Sequence, residues 1–299
     1  MTDNIFNRIL FFCLNCILRT PLSYIIPDKI FLYIQFRYRT KCKLNLKNPI
    51  SFNEKIQWLK LYDRKPEYTI MSDKYEVRNF IRDKIGEKYL IPLIDVYETF
   101  DDIKFDTLPE QFVIKCTHDS GSILFCRDKQ SFNIKKARNY LSKALKTNYF
   151  YHGREWAYKN IKPRIIVEKY MVDESGTELK DYKLFCFNGE PKLIQVDFER
   201  FANHKRNFYT PDWEYVNIIN DCPPNPDIDF EKPLHLSLML DLSVKLSVNI
   251  PLLRVDFYSI YDKILLGELT FYDGNGMNSY EPPEWNTILG QWLKLPYEI

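Results

Sequence analysis

The chain has 299 residues, 45% of them apolar and 16% aromatic, and a formal net charge of +2. Such apolar content excludes a disordered chain and sustains two or three packed subdomains. The near-neutral charge excludes a nucleic-acid partner held by bulk electrostatics. Seven cysteines are odd in number and, beyond Cys13-x-x-Cys16, show no zinc spacing. They read as reduced thiols of a cytoplasm-like compartment rather than a disulfide framework.

Residues 1–45 are apolar and basic and read as helical, with breaks at Pro21 and Pro27. The apolar run 5–18 is shorter than the roughly 20 residues a bilayer span needs, and no small-residue cleavage site follows it. Two readings stay open. Ile5, Phe6, Ile9, Leu10, Phe12, Phe36 and Tyr38 form the buried face of helices docked on the body. Alternatively, together with Arg8, Arg19, Lys29, Arg37, Arg39, Lys41 and Lys43, they form an interfacial anchor at the inner face of a membrane.

Ser51-Phe52-Asn53-Glu54 is a capping-box pattern ahead of Ile56, Trp58, Leu59 and Leu61. Residues 67–86 read as one further helix, with Ser72 or Asp73 as its cap. Strands are expected over 89–97, 109–116, 123–125 and 164–170, and a basic amphipathic helix over 132–147. Residues 184–196 read as a hairpin turning at Asn188-Gly189. A Pro/Asp/Asn-rich excursion fills 205–230, and 234–249 is a periodic helix. Two alternating runs, 252–258 and 264–269, read as strands joined by the short turn Tyr261-Asp262-Lys263. No internal repeat or low-complexity segment appears.

The last hairpin carries the sharpest signal. It sets Asp256 and Glu268 near each other on one face. Two facing carboxylates repel unless a hard cation sits between them, and Mg²⁺ takes oxygen ligands and usually substrate phosphates as well. A surface hairpin with two solvated acids is the plain alternative. Lys115 ends an apolar strand and runs into Thr117-His118-Asp119-Ser120-Gly121-Ser122, where glycine and exposed amides suit an anion. This is not a Walker A spacing, and a strand-end lysine beside a β-turn explains it equally well. His118 is either a nucleotide contact or an ordinary loop histidine. Glu168-Lys169-Tyr170-Met171 ends a strand and can offer backbone groups to an adenine edge, or nothing beyond a strand end.

The order of these pieces adds weight. Asp73-Lys74, Lys115 with its Ser/Gly loop, Glu168-Lys169, Asp181-x-Lys183, Arg254-x-Asp256, Glu268-x-Thr270 and Asp273-Gly274-Asn275-Gly276-Met277 follow one another. The string resembles the ATP-grasp superfamily, an α+β fold in which two α+β subdomains clamp ATP. The stretches NPISFNEKIQWLKLYDRKP, SDKYEVRNFI, DYKLFCFNGEPKLIQVD and GELTFYDGNGM look most like the TupA-like ATP-grasp proteins of bacterial surface-polysaccharide (teichuronopeptide) synthesis, over roughly residues 45–295.

The resemblance implies a division into a helical segment (1–45), an α/β region (46–108), a lid subdomain (109–175) and a larger subdomain with the metal site (176–299). It implies that Lys74 and Lys115 contact ATP phosphates and that Ser120, Gly121 and Ser122 cover them. Glu168 would take the adenine amino group, with Lys169 and Met171 at the adenine edge, Glu174 at the ribose, and Asp181 and Lys183 along the cleft. Arg254 would sit on the transferred phosphate, and Asp256 and Glu268 would hold Mg²⁺. Where the family commonly has asparagine two residues after the second metal acid, this chain has Thr270, so Asn275 or water would complete the set.

The implied reaction is ATP-dependent ligation of a carboxylate and an amine through an acyl phosphate. Its implied partners are an acidic sugar or glycan precursor and an amine-bearing small molecule. Arg200, His204, Lys205 and Arg206 form a basic cluster suited to an acid, with Arg206 a catalytic candidate beside Arg254 and Lys115, or simply a solvated loop. A kinase using the same cleft, and a non-catalytic nucleotide- or glycan-binding component of a polysaccharide assembly, are the rivals.

Overall fold

The structure, a computed structural model, describes residues 5–173, 179–198, 203–227 and 231–296. Helices α1 (Ile5–Ile17), α2 (Asp28–Thr40) and α3 (Phe52–Tyr62) open the chain, with a 3₁₀ turn at Pro21–Ile25 where Pro21 stops α-helix. Ser51 accepts from the Glu54 amide while Glu54 reaches back to the Ser51 N–H, completing the anticipated capping box. Leu18, Phe31, Leu32 and Phe36 are buried in the same core as Phe52, Ile56 and Trp58, so α2 and the turn after α1 pack on the body, whereas Leu10, expected on the buried face, is exposed. Phe12, Leu22 and Ile25 stay exposed. Among the described residues, no helix is long and apolar enough to cross a membrane.

The single helix expected over 67–86 is two, α4 (Pro66–Ser72) and α5 (Val77–Lys84). Asp73 makes the break. Its carboxylate accepts the amides of Tyr75, at 2.8 Å, and Glu76, at 3.3 Å, and so competes with helical bonding. The break places Lys74 outside both helices, with its amide bonded to the Thr117 carbonyl at 3.2 Å.

Two antiparallel sheets follow. The first joins β1 (Leu93–Tyr97), β2 (Phe112–Cys116), β3 (Ile123–Cys126) and β4 (Ile165–Lys169) in the order β1-β4-β2-β3. Helix α6 (Ile134–Leu145) packs on it through Ala137 and Leu141, and α7 (Phe150–Gly153) leads back toward β4. The second sheet joins β5 (Asp181–Phe187), β6 (Glu190–Phe198), β7 (Lys205–Tyr209), β8 (Tyr215–Val216), β9 (Leu252–Ile260) and β10 (Lys263–Thr270) in the order β10-β9-β5-β6-β7-β8. Helix α8 (Leu236–Ser247) covers one face of it, and α9 (Glu284–Trp292) packs beside α3.

Asn188 and Gly189 turn the β5–β6 hairpin with φ of 53° and 86°, the left-handed pair a tight hairpin needs. The excursion expected over 205–230 holds two strands, β7, which pairs with β6, and β8, which pairs with β7 at the sheet edge. Tyr209 and Trp213 stack at 4.3 Å within it. Their alternation is short and interrupted by Pro211, which hid the strands in a loop-like composition.

Candidate active site

The polar faces of the two sheets meet across a cleft of about 580 Å³, lined by Lys74, Lys115, Ser120, Gly121 and Ser122 on one side and Asp181, Lys183, Arg254, Asp256 and Glu268 on the other. Register explains the second wall. Lys183 pairs with Asp256, Phe185 with Arg254, Asp256 with Glu268, and Arg254 with Thr270. Directly paired residues share a sheet face, so alternate positions on three neighbouring strands deliver a grid of charges to the cleft.

A bulge sets that register. The turn between β9 and β10 has two residues, Tyr261 and Asp262, one fewer than expected. Pairing runs Ile260–Lys263 to Phe257–Leu266 and then shifts, so that Glu268 rather than Gly267 meets Asp256. Without the shift, Glu268 would pair with Val255 and point to the opposite face. Glycine suits the bulge, since a Cβ on Gly267 would lie 2.9 Å from the Tyr258 ring.

Asp256 is buried, and Arg254 holds it bidentately, at 2.8 Å and 2.7 Å. Burial pushes its carboxyl up to about 6 against the pull of Arg254 and Lys183. Arg254 also bonds Asp273 and, at 3.1 Å, the Thr270 hydroxyl. Glu268 has no protein partner among the described residues and faces the cleft. One free carboxylate beside one shared with a guanidinium is a hard-oxygen donor pair, which fits a divalent cation completed by phosphate oxygens and water. Among the described residues, no cluster of three or more potential ligands gathers.

Asn275 lies elsewhere. Its side-chain oxygen accepts from the Lys60 ammonium, and it lines a neighbouring cavity of about 220 Å³ together with Glu268 and Arg254. The structure therefore does not bring Asn275 into the cleft beside Asp256, as the expected role of third metal ligand requires. Lys60 also bonds the Asn275 carbonyl at 2.8 Å, and Gln57 holds the carbonyls of Asn275 and Gly276 at 2.9 Å and 2.8 Å. Lys60 and Glu155 are both buried nearby. Burial lowers the lysine to about 7 and raises the glutamic acid to about 7.

On the opposite wall, the Lys115 ammonium pairs with Glu168 at 2.7 Å, and Arg78 approaches the same carboxylate at 3.5 Å. Glu168 is thus engaged as a counter-charge that aims Lys115, and its carboxylate is not free for an adenine amino group. The Lys169 amide is spent on the Pro92 carbonyl at 3.0 Å, and its side chain lines a separate shallow depression with Tyr170 and Arg127. Only its backbone remains near the expected edge. Met171 packs on Ile91, Ile260 and Leu265, an apolar patch between the sheets that suits a flat heterocycle. Lys74 donates to the Asp119 carbonyl, and Ser122 to the Asp119 carboxylate, folding the loop around Gly121, whose φ is 112°. His118 is buried behind this loop, its ring within 3.1 Å of the Ala144 carbonyl, which is a structural role. Glu174 and Arg200 lie outside the described residues.

Arg206 is taken up by scaffolding. It donates to Asp197 at 2.7 Å and to the Asn220 carbonyl at 2.9 Å, so the expected catalytic role is not what the structure assigns it. Asp197 has no exposed surface and also meets Lys183 at 2.9 Å, His204 at 3.0 Å and Gln195 at 2.9 Å. Burial alone would raise its carboxyl, but Lys183 and Arg206 outweigh it and hold the group far below the usual carboxylate range. The sequence signal for Asp197 was available in the polar alternation of Gln195 and Asp197 on an apolar strand. Glu155 and Lys60 carried no signal, since only tertiary packing brings them together.

A family model described as TupA-like ATPgrasp matches residues 54–294. No curated protein matches. Among solved structures, D-alanine–D-alanine ligase from Bacillus anthracis is 15% identical, covering 75% of this chain and 66% of that one, with a TM-score of 0.41. The chain thus spans slightly under two thirds of that ligase. The Helicobacter pylori D-alanine–D-alanine ligase is 14% identical, covering 81% and 69%, with a TM-score of 0.40. The ATP-grasp ligase PsnB, solved with a precursor variant, Mg and ADP, is 9% identical, covering 81% and 66%, with a TM-score of 0.41.

Proposed function

Because the chain belongs to the TupA-like ATP-grasp family, whose fold binds ATP and Mg²⁺, we propose that it is an ATP-dependent carboxylate–amine ligase acting on an acidic unit of a bacterial surface glycan. The observation that supports this most is the cleft itself. Four cationic side chains, Lys74, Lys115, Lys183 and Arg254, converge there on a paired Asp256 and Glu268.

A carboxylate is a poor electrophile because its leaving group would be oxide. In the proposed reaction an acceptor carboxylate oxygen attacks the γ-phosphorus, the bond to the bridging oxygen breaks, and ADP leaves. The amine then attacks the acyl carbon of the resulting acyl phosphate. The C–O bond breaks, inorganic phosphate leaves, and the nitrogen loses its proton. Such transfers need position and positive charge rather than a protein nucleophile.

Lys115 on β2, oriented by Glu168, and Lys74 from the α4–α5 break approach the phosphates from the wall that carries the Ser120–Ser122 loop. Arg254, braced by Asp256, Asp273 and Thr270, meets the transferred group from the opposite wall. Asp256 and Glu268 would hold Mg²⁺, which when bound supplies Lewis-acid charge to the phosphate oxygens. The buried Asp197 network keeps Lys183 turned toward Asp256, at 3.9 Å.

An acceptor carrying a heavy-oxygen label in its carboxylate tests the reading. The ligase account expects one label per turnover in the released phosphate, together with amide product. A product that keeps the phosphate identifies a kinase instead. Absence of ATP consumption with any acidic sugar and amine pair would leave the non-catalytic binding reading in its place.

A further inference from the structure

Beyond the nucleotide cleft lies an outer chamber of about 700 Å³, walled on one side by the N-terminal helices and on the other by residues 147–152 and the loop at Gly274 and Asn275. The smaller cavity lies between the two and shares walls with each. Arg254, Glu268 and Ser120 line both the cleft and that cavity, while Gly274 and Asn275 line both that cavity and the chamber. A ligand spanning these adjoining spaces would present one end to the reacting face.

The chamber's chemistry selects a class of ligand. Its described lining contains Arg19, Arg39 and His152 and no carboxylate. Neither arginine has a carboxylate partner among the described residues. The remaining polar wall is amide and hydroxyl; Gln35 and Asn148 donate to the His152 and Lys159 carbonyls, and Asn15 stands beside them with an amide that can both donate to and accept from hydroxyls. Tyr24 and Tyr151 meet at 4.1 Å and tilt by 56°, giving an apolar face beside these polar groups. Cations, amides and an aromatic face together match a sugar ring that carries an anionic group.

The wall is rigidly placed. Arg154 is buried, donates to the carbonyls of Ser23 and, at 3.1 Å, Ile26, and lies 4.2 Å over the Phe31 ring. Gln35 donates to the His152 carbonyl at 2.9 Å. Residues 15–39 also precede residue 54, where the family match begins, so this wall is supplied by a part of the chain outside the shared region.

We infer that the outer chamber is the acceptor subsite, and that it binds an anionic saccharide through Arg19, Arg39 and the Tyr24–Tyr151 pair. The inference rests on the ligase reading, in which a second carboxylate of the same saccharide points to the cleft while the arginines hold the first, and it moves acceptor recognition away from the Arg206 cluster. The proposed anion is a sugar carboxylate, and sugar phosphates share its chemistry.

Calorimetric titration of the full chain with galacturonic acid oligomers, galactose 1-phosphate and neutral galactose, in the presence of Mg²⁺ and a non-hydrolysable ATP analogue, separates the cases. The oligouronide is expected to bind and galactose is not. Arg19→Gln/Arg39→Gln and Tyr24→Ala, all at exposed positions, are expected to weaken the oligouronide by about tenfold or more while leaving the ATP analogue within about twofold. Equal affinity in wild type and variants overturns the subsite, as does binding of neither anion, or a preference for galactose 1-phosphate over the oligouronide. Arginine-dependent uronide binding, with neither phosphate release nor amide formation once ATP and an amine replace the analogue, would sink the ligase reading and leave the subsite standing.

Discussion

At the residue scale, the cleft is organised by charges that hold one another. Asp197 illustrates the cost of disturbing them. Its folded carboxyl lies below its unfolded value because Lys183 and Arg206 outweigh the effect of burial. Such a group contributes stability above the unfolded value of about 4 and loses it as pH falls toward the folded one. Wild-type stability in denaturant should therefore drop as pH falls below about 4. Asp197→Asn should lower stability by about 3–5 kcal/mol at pH 7 and flatten the acid limb. An unchanged limb would place the acid sensitivity elsewhere. Lys115 gives the catalytic counterpart. Its removal leaves Glu168 facing Arg78, so Lys115→Ala should melt within a few degrees of wild type yet lose about a hundredfold or more in turnover. Asp256 and Glu268 were legible in the sequence because strand alternation exposes period-two acids. The engagement of Glu168, Arg206 and Asn275 was not, because each is claimed by a partner distant in sequence or fixed by packing.

At the element scale, the β9–β10 hairpin shows how much a single residue of register decides. The three-residue turn expected from the sequence gives the same Asp256–Glu268 pairing as the observed two-residue turn plus bulge. The facing acids were thus anticipated by a different route from the one the chain takes. Gly267→Val should crowd Tyr258 and the Asp256 carbonyl, at a cost of about 1–3 kcal/mol. It should also sharply reduce Mg-ATP binding, because a slipped register turns Glu268 away. Unaltered binding in a folded variant would show that the bulge does not govern the site. The β5–β6 turn was readable because Asn-Gly specifies its own geometry. The break between α4 and α5 was missed because helical periodicity continues through it, while Asp73 diverts the backbone locally. Arg154 is the corresponding anchor for α1 and α2. Arg154→Met should loosen residues 15–39 from the body, read as faster limited proteolysis within that stretch with the remaining body intact.

At the scale of the whole molecule, Lys115 of one antiparallel sheet and Lys74 from the α4–α5 break face Lys183, Arg254, Asp256 and Glu268 of the other sheet across a shared cleft, and neither wall holds a complete set alone. The α+β class and the fold family could be read from motif order, since local strand and loop signals survive in sequence. The N-terminal helices were legible as helices, but their contribution of a wall to the outer chamber was not, because it depends on Arg154 and Gln35 reaching residues more than a hundred positions away. The central claim is that Mg-ATP binds across the two sheets through Asp256 and the facing lysines. Thermal melting of wild type and Asp256→Asn, each titrated with Mg-ATP, tests it without knowledge of the acceptor. The account predicts a wild-type stabilisation rising to about 2.7 kcal/mol at a hundredfold excess over Kd, and its loss in the variant. The same stabilisation in both proteins, or none in wild type, would contradict it.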